Sequence, residues 1–207
     1  MKLPPSDDLS QVLDTGAIIL AAGGSSRLGQ PKQVLQHQGQ SLLRRTITAA
    51  REAGCSPIAV VVGAERKRIT EEVEGVFTIE NPEWQSGIGS SIRAALRELL
   101  RAFPHLETLI LLACDQPFVS RDTIIGLKTK HEETKKPIVA SAYASTVGIP
   151  ALFHRTYFDK LFTLDNEAGA KSVILTHRAD VAEFPFADGA VDIDTADDYR
   201  KLRSRGR

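Results

Sequence analysis

The chain has 207 residues, 42% hydrophobic and 25% charged, with 26 basic residues balancing 26 acidic ones. At roughly 150 residues per domain this length holds one domain with a sizeable core, and the balanced charge lacks the basic footprint, a pI above about 9, of a nucleic-acid binder. No apolar run approaches the ~20 residues of a membrane span. The polar start "MKLPPSDDLSQ" has no signal-peptide pattern. Cys55 and Cys114 form no CxxC pair, so they read as small buried hydrophobes in a reducing, cytoplasmic compartment rather than as a disulfide or zinc framework.

Residues 1–15 read as a loose, flexible arm, and "GAIILAA" (16–22) as a short, continuous, buried strand. A glycine-rich turn follows, then a helix through "LLRRTITAAREAG", capped by Ser41 and ended by Gly54. "PIAVVVG" (57–63) is a second buried strand, "ERKRITEEVEG" an amphipathic helix and "VFTIE" a short strand. "SIRAALRELLRAF" (91–103) is a strong helix with Ile92, Ala95, Leu96, Leu99 and Leu100 on one face. "TLILLAC" (108–114) is the most apolar strand and hence central; a helix capped by Ser120 follows. "PIVASAY" is a strand, 148–150 a loop, and "TYFDKLFTL" and "AGAKSVILTHR" are helical pieces. "DVAEFPF" is a late strand, and "TADDYRKLRS" a helix with Thr195 and Asp198 spaced as a capping box. "RSRGR" reads as a frayed basic tail.

Alternation of strands and helices, with continuously apolar strands, predicts an α/β fold: a three-layer α/β/α sandwich around a Rossmann-like, mostly parallel sheet. Residues 16–203 read as one domain, with a first part about 16–120 and a second about 138–195. Ligands of such sheets bind beyond the carboxyl ends of the strands. That places three stretches on one rim: the loops after residues 22 and 114, and the loop at 81–91.

The first of these, "ILAAGGSSRLGQPKQ" (19–33), joins permissive Gly23, Gly24 and Gly29 to the cations Arg27 and Lys32. Converging backbone N–H groups with two fixed positive charges suit a phosphate chain. The Walker loop is excluded, since Gln30 and Pro31 follow Gly29 where Lys and Ser/Thr are needed. The G-x-G-x-x-G fingerprint fails because Gly23 and Gly24 are adjacent, and Gly63 and Ala64 stand where its acidic residue is expected. An NAD oxidoreductase is therefore a weak alternative.

Asp115 sits at the end of the central strand in "ACDQPF", where it is either a helix cap or a metal ligand. Ser120 already serves as the cap, and magnesium favours one or two carboxylates plus substrate phosphates. Asp192 and Asp194 are two apart, hence on one face of an extended segment. "NPEWQSGIGSSIRAAL" presents Ser90 and Ser91 at a helix start, where they cap the helix or point outward to a ligand; Trp84 reads as packing rather than as a base stack.

"LAAGGSSRLGQPKQ" closely resembles the signature L-A-A-G-x-S-x-R-x-G-x-x-K of MobA-like nucleotidyltransferases, matched at Leu20, Ala21, Ala22, Gly23, Ser25, Arg27, Gly29 and Lys32. "ACDQPF" and "VDIDTADDY" are similar to the molybdenum-cofactor cytidylyltransferase branch. The resemblance covers 16 to about 200 and implies the nucleotide-diphospho-sugar transferase fold. It also implies Mg²⁺-dependent transfer of a nucleotidyl group, CMP from CTP, to a phosphorylated acceptor, molybdopterin, with release of pyrophosphate. A molybdoenzyme of the xanthine-dehydrogenase type would receive the product.

The residue roles that the resemblance implies are these. Arg27 and Lys32 neutralise the leaving pyrophosphate, and Asp115 with Asp194 binds magnesium, Asp192 being in reserve. Leu20, Ala21, Ala22, Gly23, Gly24 and Ser25 wrap the triphosphate. Gly63, Ser90 and Ser91 flank the base, and Gln116, Gly148, Ile149, Pro150 and Lys171 meet the acceptor. The chain departs from the branch at Gly148-Ile149-Pro150, where G-H-P is usual, and at "NEAGAK", where G-D-x-G-A-R is usual; Lys171 keeps a charge but not a bidentate fork. The alternatives are transfer to a sugar or polyol phosphate, by a cytidylyl- or guanylyltransferase, and a non-catalytic accessory protein that carries nucleotide or cofactor.

Overall fold

A computed structural model describes residues 15–70, 72–73 and 75–205. Nine strands are described: β1 (Thr15–Leu20), β2 (Gln36–His37), β3 (Gln40–Ser41), β4 (Ile58–Val62), β5 (Phe77–Glu80), β6 (Thr108–Ala113), β7 (Ile138–Tyr143), β8 (Thr146–His154) and β9 (Val181–Pro185). The α-helices are α1 (Leu42–Glu52), α2 (Arg66–Thr70), α3 (Ile88–Ala102), α4 (Arg121–Thr134), α5 (Phe158–Phe162), α6 (Ala170–Thr176) and α7 (Ala196–Arg205). The main sheet has the order β5-β4-β1-β6-β8-β7-β9, while β2 and β3 form a separate small hairpin. Every pairing in the main sheet is parallel except those of β8, which runs antiparallel to both β6 and β7.

The period of two along each strand explains the three layers. In β1, Ile18 faces one side, and Ala17 and Ile19 the other; in β6, Leu109 and Leu111 alternate with Ile110 and Leu112. Ile92, Leu96 and Leu99 of α3, with Phe158 and Ile174, cover the first face. Leu43 and Ile47 of α1, with Ile124 and Leu127 of α4, cover the second. Each fully buried Leu or Ile contributes about 1.5–3 kcal/mol relative to exposure. Both faces are therefore closed by apolar packing, which leaves the strands' carboxyl rim as the candidate ligand end. The chain leaves β1 towards β4 and β5, then returns to place β6 on its other side. Such a reversal of strand order opens a crevice beyond the carboxyl ends of β1 and β6.

The structure corrects several expectations. Residues 148–150 lie inside β8 rather than in a loop. The β7–β8 hairpin turns on Ala144 and Ser145 at φ 46° and 58°; such turns normally carry Asn or Gly, so their sequence signal was missing. Pairing jumps from Ala140↔Ala151 to Ser141↔Gly148, which leaves Ile149 and Pro150 as a bulge, the position to which a proline without an N–H is confined. Helix α2 is described over Arg66–Thr70, residues 71 and 74 of the expected helix lying outside the described residues; Glu72 accepts from Ser41 Oγ at 2.6 Å and from Arg44 Nε at 2.9 Å. Thr15, assigned to the arm, opens β1, and residues 1–14 lie outside the described residues. Arg203 to Arg205 continue α7 rather than fraying; 206–207 lie outside the described residues. The capping box forms as expected: Asp198 Oδ2 accepts from Thr195 N at 2.9 Å, and Thr195 Oγ1 accepts from Asp198 N at 3.2 Å.

Cys55 and Cys114 are buried and unpaired by any disulfide. Burial pushes the Cys55 thiol up to about 11 and the Cys114 thiol up to about 12. Because the thiolate is the reactive form, Ellman's reagent at pH 8 is expected to modify neither cysteine in the folded protein and both in guanidinium chloride. No helix among the described residues is long and apolar enough to cross a membrane.

Candidate active site

The glycine loop leaves β1 at Leu20 and returns through a short 3₁₀ turn at Lys32–Val34. Ser25 (φ 48°) and Gly29 (φ 73°) take left-handed conformations that curl the loop. Ser25 Oγ accepts from the Lys32 N–H at 3.0 Å, which closes the curl and aims Lys32 inward. Gln33 is fully buried, and its Nε2 donates to Ala21 O at 2.7 Å and to Gly23 O at 2.9 Å. The sequence gives no sign of this role, because burial of an amide side chain leaves no local pattern. Gln33→Leu orphans two carbonyls, so it should cost about 1–3 kcal/mol of stability; urea denaturation measures this directly.

Lys32 Nζ lies between two carboxylates. It donates to Asp115 Oδ2 and, at 3.1 Å, to Asp194 Oδ1, while Arg27 Nη2 holds Asp194 Oδ2 at 2.8 Å. Four of the sequence-selected residues, 83 to 167 positions apart in these pairs, therefore meet at one point. A small third core brings them together. Leu28 and Leu35 from the loop pack with Leu42, Ile193 and Leu202. Ile193 is fully buried between Asp192 and Asp194 in sequence, and its N–H donates to Asp115 O at 3.0 Å.

The electrostatics follow from this geometry. Burial alone would lower the Lys32 pKa, but the charge and hydrogen bond of Asp115 outweigh it and raise the group above its ordinary value. At Asp194, burial opposes ionisation, yet Lys32 and Arg27 hold the carboxyl below its ordinary value. Burial, then the charges of Asp115 and Asp194, push Asp192 up to about 6. It is Asp194, not Asp192, that Lys32 bridges to Asp115. Two carboxylates converging on one cation are a donor set that fits a hard divalent ion completing its shell with phosphates and water. No group of three or more His, Cys, Asp or Glu suited to a metal occurs among the described residues.

Beside this cluster the rim is shaped by close packing. A Cβ on Gly63 would lie 2.7 Å from Ala22 O and from Trp84 Cγ; one on Gly24 would lie 3.1 Å from Trp84 Cη2. Trp84 thus packs against both glycines. Gly23 is different: nothing lies within 4 Å of a Cβ built there, so the protein leaves open space above that backbone. Leu20 is half-buried, and Ala21 and Ala22 are buried.

Ser90 and Ser91 do not point outward. Helix α3 begins three residues earlier than expected, at Ile88, with Gly87 (φ 125°) as its cap. Both hydroxyls are buried against Asn81, whose Nδ2 donates to Ser90 Oγ at 2.8 Å and Ser91 Oγ at 2.9 Å. The buried side chains thus set the shape of the turn. Near residues 148–150, buried Gln116 spends its Nε2 on Ile149 O (3.1 Å) and Gly189 O (3.0 Å). Tyr143 Oη and Ser141 Oγ donate to Ile149 O and Pro150 O. The carbonyls freed by the bulge are thereby satisfied, and Gly148 stays glycine because a Cβ would overlap Tyr143 Oη. Lys171 is exposed on α6.

Residues 17–181 match the family model described as the MobA-like NTP transferase domain. The chain belongs to this family. The crystal structure of Rv0371c from Mycobacterium tuberculosis H37Rv superposes with a TM-score of 0.78 at 30% identity, covering 92% of this chain and 97% of that one. The same Mycobacterium protein in complex with manganese gives 0.74 at 28% identity, covering 92% and 98%. The bifunctional protein GlmU of Streptomyces griseus is 29% identical over 177 residues, 82% of this chain and 34% of GlmU. The chain spans about a third of the length of the curated relatives it matches. The mostly parallel sheet with flanking helices is the nucleotidyltransferase fold of these neighbours.

Proposed function

We propose that this protein is a magnesium-dependent nucleotidyltransferase that transfers CMP from CTP to the terminal phosphate of molybdopterin, releasing pyrophosphate. The observation that carries the reading is the meeting of Lys32 and Arg27 with Asp115 and Asp194 beside the open backbone of Gly23. Asp115 and Asp194 would hold the metal, which supplies charge neutralisation to the triphosphate when bound. The manganese complex of the Mycobacterium relative supports a divalent ion in this fold.

In the reaction an acceptor phosphate oxygen attacks the α-phosphorus. A new P–O bond forms there as the α–β bridging bond breaks, and its electron pair leaves on pyrophosphate. The nucleophile is already anionic, so no side chain need remove a proton. Backbone from Leu20 to Ser25 cradles the phosphates, and Arg27 and Lys32 stabilise charge growing on the leaving group. Gly63 and the turn shaped by Ser90 and Ser91 lie beside the base. Gln116, Gly148, Ile149, Pro150 and Lys171 form the acceptor side, from which the product would pass to a molybdoenzyme of the xanthine-dehydrogenase type.

A second reading, transfer to a sugar or polyol phosphate, is favoured by Ile149 and Lys171 standing where the branch carries histidine and arginine. The test is pyrophosphate release from each of CTP, GTP, ATP and UTP with Mg²⁺, with and without molybdenum-loaded molybdopterin. Release with CTP only when the cofactor is present is the expected result. Release with a sugar or polyol phosphate instead would favour the second reading, and tight NTP binding with no release for any acceptor would indicate an accessory protein.

A further inference from the structure

The base-side turn and the acceptor-side segment are docked on one another. Residues 164–169, between α5 and α6, lie across the first turn of α3. The Gly89 N–H donates to Asn166 O at 2.8 Å. A Cβ on Gly87 would overlap Asn166 O, and one on Gly89 would overlap Asp165 O and lie 2.8 Å from Ala168 O. Only glycine allows backbone to approach backbone this closely. Arg93, one turn further along α3, reaches back over the same segment: its Nη1 donates to Leu164 O and its Nη2 to Asn166 Oδ1. A planar guanidinium suits a two-point grip of this kind, whereas a lysine ammonium is a single point donor. At the seam, Ile88 stays 42% exposed, with its Cγ2 3.5 Å from a Cβ built on Gly169.

We propose that Arg93 is a positioning residue that couples the nucleotide and acceptor halves of the site. It ties 164–169 to the base-side turn, so that a nucleotide seated on that turn orders the acceptor segment. Close-packed backbone passes on a small displacement instead of absorbing it. The inference rests on the nucleotidyltransferase reading and adds to it a residue that touches neither the metal ligands nor the phosphate loop.

The test is hydrogen exchange by mass spectrometry on the full chain, with and without CTP and MgCl₂, and with the other NTPs in turn. In the unaltered protein, nucleotide is expected to slow exchange at 20–33 and also at 164–169, the latter by about tenfold, an ordinary size for coupling between sites. In Arg93→Ala the response at 20–33 persists, while that at 164–169 falls below about twofold; Arg93→Lys restores only part of it. Asn166→Ala removes one partner and no charge, so it weakens the response in the same direction, and it decides the matter if Arg93→Ala does not fold. An undiminished response at 164–169 in these variants overturns the coupling and leaves the nucleotide reading standing. No response at 20–33 to any NTP overturns the nucleotide reading, and the coupling with it.

Discussion

Asp115→Asn is expected to lower pyrophosphate release by at least about 10²-fold, the scale on which losing one preorganised charge acts. The substitution keeps shape and removes the charge from the residue at the carboxyl end of the central strand. Lys32 retains Asp194 as a partner at 3.1 Å, so the fold should survive with little change in melting temperature. The two effects are thus separable. Nucleotide affinity, followed through the single tryptophan Trp84 packed against Gly24 and Gly63, should remain measurable, because the backbone of residues 20–25 does not depend on Asp115. Unaltered turnover in a folded Asp115→Asn protein would remove this residue from the metal site.

Lys32→Ala is expected to slow the chemical step by ~3 kcal/mol, about 10²-fold in rate, if its ammonium stabilises the leaving group. It also leaves Asp115 and Asp194 facing each other without their shared cation. The variant should therefore bind Mn²⁺ more tightly than the parent in the absence of nucleotide, as read by electron paramagnetic resonance, even while turnover falls. The pH behaviour follows from the raised pKa of Lys32. A lysine raised on folding contributes stability that is fully present below the ordinary value of 10.5 and is lost only as pH rises through the higher folded value. Lys32 accordingly stays charged throughout the neutral range, and an activity profile between pH 6 and 9 should carry no inflection from it. Full activity in Lys32→Ala would exclude it from the transition state.

Much of the site was legible because its chemistry sits in short, dense motifs. Eight matched positions between Leu20 and Lys32 mark the glycine loop, and an acid two residues beyond a six-residue apolar strand marks Asp115. Alternating apolar strands and amphipathic helices likewise announce the layered sheet, since strand and helix periods are local properties. What local patterns do not carry are long-range hydrogen bonds and unusual backbone. The β7–β8 hairpin was missed because Ala144 and Ser145 adopt positive φ without a glycine or asparagine to signal it. For Ser90 and Ser91 the sequence leaves capping and outward-facing roles open, because their shared partner Asn81 lies nine and ten residues away.

By itself the sequence determined the fold class, the rim on which the site lies, and the residue types gathered there, because each depends on periodicity or on contiguous residues. Tertiary structure decided which residues face one another. That Asp194 rather than Asp192 partners Lys32 is seen only in the long-range ion pairs, where Arg27 and Lys32 both hold the Asp194 carboxylate. The inward turn of Ser90 and Ser91 rests on Asn81, and the seating of residues 164–169 on α3 rests on Arg93. Each is a contact between residues distant in the chain, where packing and the need to satisfy buried polar groups, rather than local preference, select the arrangement.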